Sequence, residues 1–202
     1  MEIRVLCLGN ELLADDAIGV QIGRQLSALR LPNVNVVISA LSGLHLFDEI
    51  CGEFATLIIV DSIRTGEAEL GTVHRLSLAE IGHTAGTSPH SSGLPELVAI
   101  AQALHLPMPK IHILAVEVGD CTTLGGPVSR DVESAMPAIL EQVRMEIAQC
   151  TTEVEHVYDC SALFTRRQYA EALQRPANVG SHPHPGHGCR SDRSYRALVR
   201  SV

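Results

Sequence analysis

Three segments of this chain set metal-binding or proton-transferring side chains beside turn residues. In the first, Gly9-Asn10 leads to adjacent carboxylates, Asp15 and Asp16, and then to Ala17-Ile18-Gly19. In the second, the apolar run Thr56-Leu57-Ile58-Ile59-Val60 stops at Asp61, followed by Ser62-Ile63-Arg64-Thr65-Gly66. In the third, Ser88-Pro89-His90 and Ser91-Ser92-Gly93 precede an apolar-periodic stretch that starts at Leu94. One imidazole and two carboxylates suit a divalent transition metal with positions left open for a substrate. Each piece also has a plainer reading. Acidic residues at a helix start complement its dipole, an Asp after a strand bonds its own backbone in a turn, and a lone loop histidine is commonly a surface residue. A capping role accounts for one of Asp15 and Asp16 but does not require two in a row beside Gly-Asn.

These residues need elements that bring them together. The apolar and β-branched runs predict strands over 3–8, 34–39, 56–61 and 111–116, and the clearer alternation of Gly71-Thr72-Val73-His74-Arg75-Leu76 predicts an edge or antiparallel strand over 71–76. Helical spacing predicts helices over 17–29, 43–51, 93–105 and 129–148. Strands alternating with helices imply an α/β fold: a three-layer αβα sandwich around a mostly parallel, twisted sheet of about five strands. In such sheets the ligand crevice lies outside the carboxyl ends of the strands, where Asp15, Asp16, Asp61 and His90 are all expected. His45, on the second helix, is expected to be a structural or peptide-groove residue and not a ligand.

With those pieces in place, residues 1 to 148 resemble the nickel–iron hydrogenase maturation proteases. The resemblance rests on Gly9-Asn10 through Asp15-Asp16-Ala17-Ile18-Gly19, on Asp61, on Ser88-Pro89-His90 with Gly93-Leu94, on the strand Ile111–Glu117, and on the helix that begins near Ser129. It implies an endopeptidase, classed as aspartic-type, that removes the C-terminal tail of the hydrogenase large-subunit precursor. It also implies that Asp16, Asp61 and His90 bind nickel and carry the reaction, the nickel being contributed by the precursor. No Ser-His-Asp or Cys-His nucleophile context is present, and Asp61-Ser62-Ile63 lacks the glycine of an aspartic-protease loop. A metal that polarises the carbonyl or activates water and a carboxylate general base both stay open.

Composition fits a small cytoplasmic enzyme. The chain has 202 residues, a formal charge of −8 and a pI near 5.6, which gives no support for a nucleic-acid surface. No window has the apolar length of a membrane span. The six cysteines form no CxxC pair and read as reduced thiols. Residues 1–150 are expected to form the α/β domain and 151–202 a C-terminal extension, partly disordered, with one short helix over 161–173. That extension carries His182, His184, His187 and Cys189, a composition that can hold a metal. An alternative is a non-proteolytic nickel-delivery or hydrogenase assembly protein. A phosphate-handling α/β enzyme fits less well, because no glycine-rich phosphate loop of known spacing is present.

Overall fold

In the computed structural model, residues 2–81, 90 and 93–161 are described. Strand β1 (Ile3–Leu8) is followed by a 3-10 turn at Ala14–Ala17 and helix α1 (Ile18–Leu29). Strand β2 (Val34–Ser39) leads through a second 3-10 turn, Gly43–Leu46, to the short α2 (Phe47–Ile50). Then come β3 (Thr56–Ile63), β4 (Val73–Leu76), α3 (Leu78–Ile81), α4 (Leu94–Ala103), β5 (Lys110–Glu117) and α5 (Arg130–Ser161). The strands form one five-stranded sheet in the order β2-β1-β3-β5-β4. All neighbours run parallel except the β4–β5 edge pair. The expected α/β sandwich is the observed fold.

The period-two pattern of the strands divides the core. Ile3, Val5, Cys7, Ile58, Val60, Leu114 and Val116 face α1 and α5, whereas Leu6, Leu8, Leu57, Ile59 and Ile113 face the α2–α3–α4 side. On α1 the buried residues Ile18, Ile22 and Leu26 recur every four positions, and Arg24 and Gln25 lie on the exposed face. The helix stops where Arg30 takes a left-handed backbone. On α5, Val132, Met136, Ile139, Val143 and Ile147 make the matching stripe. Fully burying such an aliphatic side chain stabilises the fold by about 1.5–3 kcal/mol.

Two boundaries differ from expectation in ways that matter. Strand β3 runs past Asp61 to Ile63, because Asp61, Ser62 and Ile63 pair with Ala115, Val116 and Glu117 of β5. On its other edge β3 loses β1 after the Cys7–Val60 pair. Asp61 therefore lies in a strand but at the lip where β1 has turned away. The last helix continues through the expected boundary at 150/151 to Ser161. Thr151-Thr152-Glu153 lacks the apolar spacing of a packed helix, but the Thr151 and Thr152 hydroxyls bond the carbonyls of Ile147 and Ala148 one turn back. The Ser88-Pro89 part of the histidine motif and the His182–Cys189 cluster lie outside the described residues, as does most of the expected 161–173 helix. Among the described residues, no helix is long and apolar enough to cross a membrane.

Candidate functional site

Strand order reverses between β1 and β3: the chain goes from β1 outward to β2, then returns to the other side of β1 for β3. Open α/β sheets form their ligand crevice at such a switch point. Here Asp16 follows β1 and Asp61 ends the β1-facing part of β3. The β1–α1 turn is drawn in tightly. A Cβ at Gly9 would collide with the Asp16 carbonyl oxygen, and one at Gly19 would collide with the Leu8 carbonyl oxygen. Glycine at both positions is what lets the turn fold back on the end of β1 and bury Asp16.

The two adjacent carboxylates separate by function. Asp15 is fully buried and turned toward the β5–α5 connection. Its Oδ2 accepts the backbone N–H groups of Gly119 and Asp120 at 3.1 and 3.0 Å, and its Oδ1 accepts that of Ser129 at 2.6 Å. It is a structural residue, but not the cap expected of one member of the pair: neither the Ala14–Ala17 turn nor α1 has a side-chain cap, and Asp15 instead ties the β1–α1 turn to the β5–α5 connection. Asp16, 2 % exposed, turns into the crevice. Its Oδ1 accepts the Ser62 hydroxyl at 2.7 Å, and its Oδ2 accepts the Asn10 N–H at 3.1 Å and faces His90 Nε2 at 3.1 Å.

Asp61 and His90 reach the same place from the α4 side of the sheet. Asp61 shares its strand face with Leu57 and Ile59, and its Oδ1 accepts the Ser62 N–H at 2.8 Å. Ser62 thus holds one carboxylate with its backbone and the other with its hydroxyl. His90 stands before Gly93 and Leu94 at the start of α4 and is 8 % exposed. Its Nδ1 lies 3.1 Å from the Leu41 carbonyl oxygen. A carbonyl can only accept, so Nδ1 carries the proton and Nε2 is the atom turned to Asp16. The two side chains form an ion pair when His90 is protonated.

Electrostatics follows from these contacts. The hydrogen bond to Asp16 raises the His90 pKa to about 8 against the lowering effect of burial, with help from Leu41 and from the nearby charge of Asp61. Burial pushes the Asp16 carboxyl up, but the bonds from His90, Ser62 and Asn10 outweigh it and hold the group below the usual carboxylate range. Cys121 lies close enough to sense the same charges. Burial first, and then Asp16, push its thiol up to about 11, which argues against a thiolate nucleophile.

The sequence reading did not include Ser62, Leu41 or Cys121 in the site. Asp-Ser at the end of an apolar strand is a usable signal for Ser62, whereas the Leu41 contribution is a backbone atom with no residue signature. Glu117 ends β5 at the same sheet edge but is fully engaged elsewhere. It accepts from the N–H and hydroxyl of Thr65 and the N–H of Gly66, and it faces His74 Nε2 at 3.1 Å. His45 is exposed on the turn after β2. Among the described residues, Cys7, Cys51, Cys121 and Cys150 form no disulfide.

Chemically, the crevice offers one imidazole nitrogen and two carboxylates, each steadied by a bond from behind. Outer contacts of this kind orient metal ligands and fix the histidine tautomer.

The sequence profile described as hydrogenase maturation protease matches residues 20–146. The match includes Asp61 and His90 and begins just past Asp16. No curated protein matches the chain by sequence. Among solved structures, the hydrogenase maturating endopeptidase HybD from Escherichia coli is 27 % identical with a TM-score of 0.64, over 74 % of this chain and 94 % of that one. A solution structure of an endopeptidase from Escherichia coli is also 27 % identical, with a TM-score of 0.61 over 71 % of this chain and 90 % of that one. The HybD hydrogenase maturation protease of Thermococcus kodakarensis shares the fold at 22 % identity, with a TM-score of 0.58 over 72 % of this chain and 98 % of that one.

Proposed function

This chain belongs to the hydrogenase maturation proteases, and from that premise we propose that Asp16, Asp61 and His90 are the residues through which it removes the C-terminal tail of a nickel-loaded nickel–iron hydrogenase large-subunit precursor. The observation that carries this reading is the meeting of His90 Nε2 and Asp16 Oδ2 at the β1–β3 switch point, with Ser62 tying Asp61 to the same place. The relatives named above are endopeptidases, so the nickel-delivery alternative is not favoured.

The nickel belongs to the precursor. Nitrogen and oxygen donors suit it. His90 would give Nε2 after losing the proton it shares with Asp16, while Nδ1–H stays on the Leu41 carbonyl. Asp16 and Asp61 would give carboxylate oxygens. Once engaged, the ion supplies Lewis-acid polarisation. The chain's own groups do the rest. The buried trio fixes the precursor so that the bond to be cut lies at the crevice, and a carboxylate oxygen accepts the proton of the attacking water. The bonds from His90, Ser62 and Asn10 hold the Asp16 carboxyl below its usual range, and we read the aspartic-type class as carboxylates that bind the ion and accept the proton of water.

Exposed leucines stand on three loops at this sheet edge: Leu12 after β1, Leu41 and Leu44 after β2, and Leu124 after β5. We assign them to contact with the precursor's apolar surface, in the cytoplasm where the precursor is processed. The reading is tested by incubating the full chain with nickel-loaded precursor and measuring the mass of the released peptide. Release by wild type and its loss in Asp16→Ala and His90→Ala supports it; equal release by these variants refutes it.

A further inference from the structure

His112, Glu146 and Cys150 form a second cluster of metal-type side chains. The register pairs His112 with Ile58 and Asp61 with Ala115, so the two sites are three residues apart along β5, roughly 10 Å. They also lie on opposite faces of the sheet. His112 shares the strand face of Leu114 and Val116, which α5 covers, and Asp61 is on the α4 side. Glu146 and Cys150 are four residues apart on α5, one above the other on a single face.

We propose that His112, Glu146 and Cys150 bind a divalent transition ion of the zinc class, at a site separate from the proteolytic centre. One ligand atom from each residue lies within 4.8 Å of the other two. His112 Nδ1 is 2.7 Å from Glu146 Oε1, and Cys150 Sγ is 4.0 Å from Nδ1 and 3.9 Å from Nε2 of the same ring. Zinc–ligand bonds of about 2.0–2.3 Å put neighbouring donors roughly 3–4 Å apart. The carboxylate must therefore ease away from the imidazole while the sulfur moves in slightly. A mixed sulfur, nitrogen and oxygen set selects zinc-like ions over magnesium or calcium. Glu146 and Cys150 are 3 % and 1 % exposed, so charge balance matters. One carboxylate and one thiolate set two negative charges against a dication, which lowers the cost of burying it. Arg75 of β4 pairs with the second oxygen of Glu146, an outer contact that would orient the ligand. Its exposed side and that of His112 leave a route from solvent.

Binding forms three metal–ligand bonds. The Cys150 thiol releases its proton to solvent. The imidazole coordinates through one nitrogen and keeps its single N–H on the other. The ion would clamp the distal half of α5 to β5, so occupancy should raise the melting temperature by mass action.

The test uses the full chain carrying Cys189→Ser, which removes the sulfur of the C-terminal histidine-rich segment, titrated with cobalt(II) alone. The expected result is a thiolate-to-cobalt charge-transfer band that saturates at one ion per chain and is competed away by zinc(II). Cys150→Ser should abolish the band. His112→Ala and Glu146→Gln should weaken cobalt binding at least about tenfold. Asp16→Asn and His90→Ala should leave the band in place, and Cys150→Ser should still process the precursor, so the two sites fail or succeed independently. Circular dichroism of each metal-free variant identifies any that fail to fold. X-ray absorption of the zinc-loaded parent protein then supplies the decision, with one sulfur neighbour expected. A parent protein with no sulfur-to-metal signal, or a band that survives Cys150→Ser, overturns the proposal.

Discussion

The Leu41 carbonyl oxygen accepts the Nδ1 proton of His90 at 3.1 Å, and this one backbone contact sets what the histidine can do. With Nδ1 committed as a donor, Nε2 has two roles. It gives a second proton to Asp16, or it presents a lone pair to a metal. The two compete at one nitrogen.

The first prediction is a pH dependence of precursor capture. The proton at Nε2 is held with a pKa of about 8 by the Asp16 hydrogen bond. Metal engagement must displace it, so binding of nickel-loaded precursor should weaken by about tenfold for each pH unit below that value. Binding measured across pH 6–9 checks this. Affinity that falls as pH rises through the same range would contradict it.

The second concerns stability of the protein without metal. His90 titrates near 6.5 when unfolded and near 8 when folded, so the charged His90–Asp16 pair favours the folded state. That contribution is fully present below pH 6.5 and is lost as pH rises through about 8. Urea unfolding of wild type and His90→Gln should therefore differ more at pH 6 than at pH 9. The reverse order would show that the pair is not the ion pair described.

The third separates the adjacent carboxylates. Asp15→Asn takes the charged acceptor from all three backbone donors and turns an amide NH2 toward at least one of them, and should cost on the order of 1.5–3 kcal/mol of stability. The fraction that stays folded should keep most of its processing rate. Asp16→Asn should do the opposite: little loss of stability beyond the His90 pair, and processing reduced by about 100-fold or more. Denaturant melts and initial rates measured side by side decide it. Equal effects of the two substitutions would dissolve the distinction.

How much of this was legible in the sequence depends on the kind of signal. β1, β2 and β5 are largely apolar or β-branched, each interrupted by one polar residue (Arg4, Asn35 and His112), and their positions and the layer order follow from that pattern. The extension of β3 past Asp61 was not legible, because Asp61-Ser62 are polar and only their pairing with β5 makes them strand. Helix α5 overran its expected end because residues beyond Cys150 no longer show the apolar spacing that marks a helix in sequence. Asp16, Asp61 and His90 are recognisable as metal-type side chains at element ends. The Ser62 bridge and the Leu41 carbonyl are not, since one is an ordinary serine and the other a backbone atom. His112, Glu146 and Cys150 lie too far apart in sequence to suggest a cluster.

The fourth prediction tests Ser62. Ser62→Ala removes the hydroxyl bond to Asp16 but keeps the N–H bond to Asp61. Stability should fall by about 1 kcal/mol. Processing should slow by about tenfold or more, as expected when an outer contact of a metal ligand is lost. A wild-type rate in Ser62→Ala would mean that Asp16 needs no support from β3.

The fifth removes the thiols from suspicion. Cys121 is pushed up to about 11 and stays protonated at neutral pH. Cys121→Ser and alkylation of accessible thiols should leave most of the processing activity. Abolished cleavage in a folded Cys121→Ser variant would place sulfur in the mechanism.

The central claim is that Asp16, Asp61 and His90 read the precursor's nickel and cut its tail. The most direct measurement is intact mass of a nickel-loaded large-subunit precursor and its metal-free form after incubation with wild type, Asp16→Ala, Asp61→Ala and His90→Ala. Wild type should release the C-terminal peptide from the nickel-loaded form alone, and each folded variant should release none. Cleavage of the metal-free precursor at the same rate, or full cleavage by His90→Ala, would contradict the account.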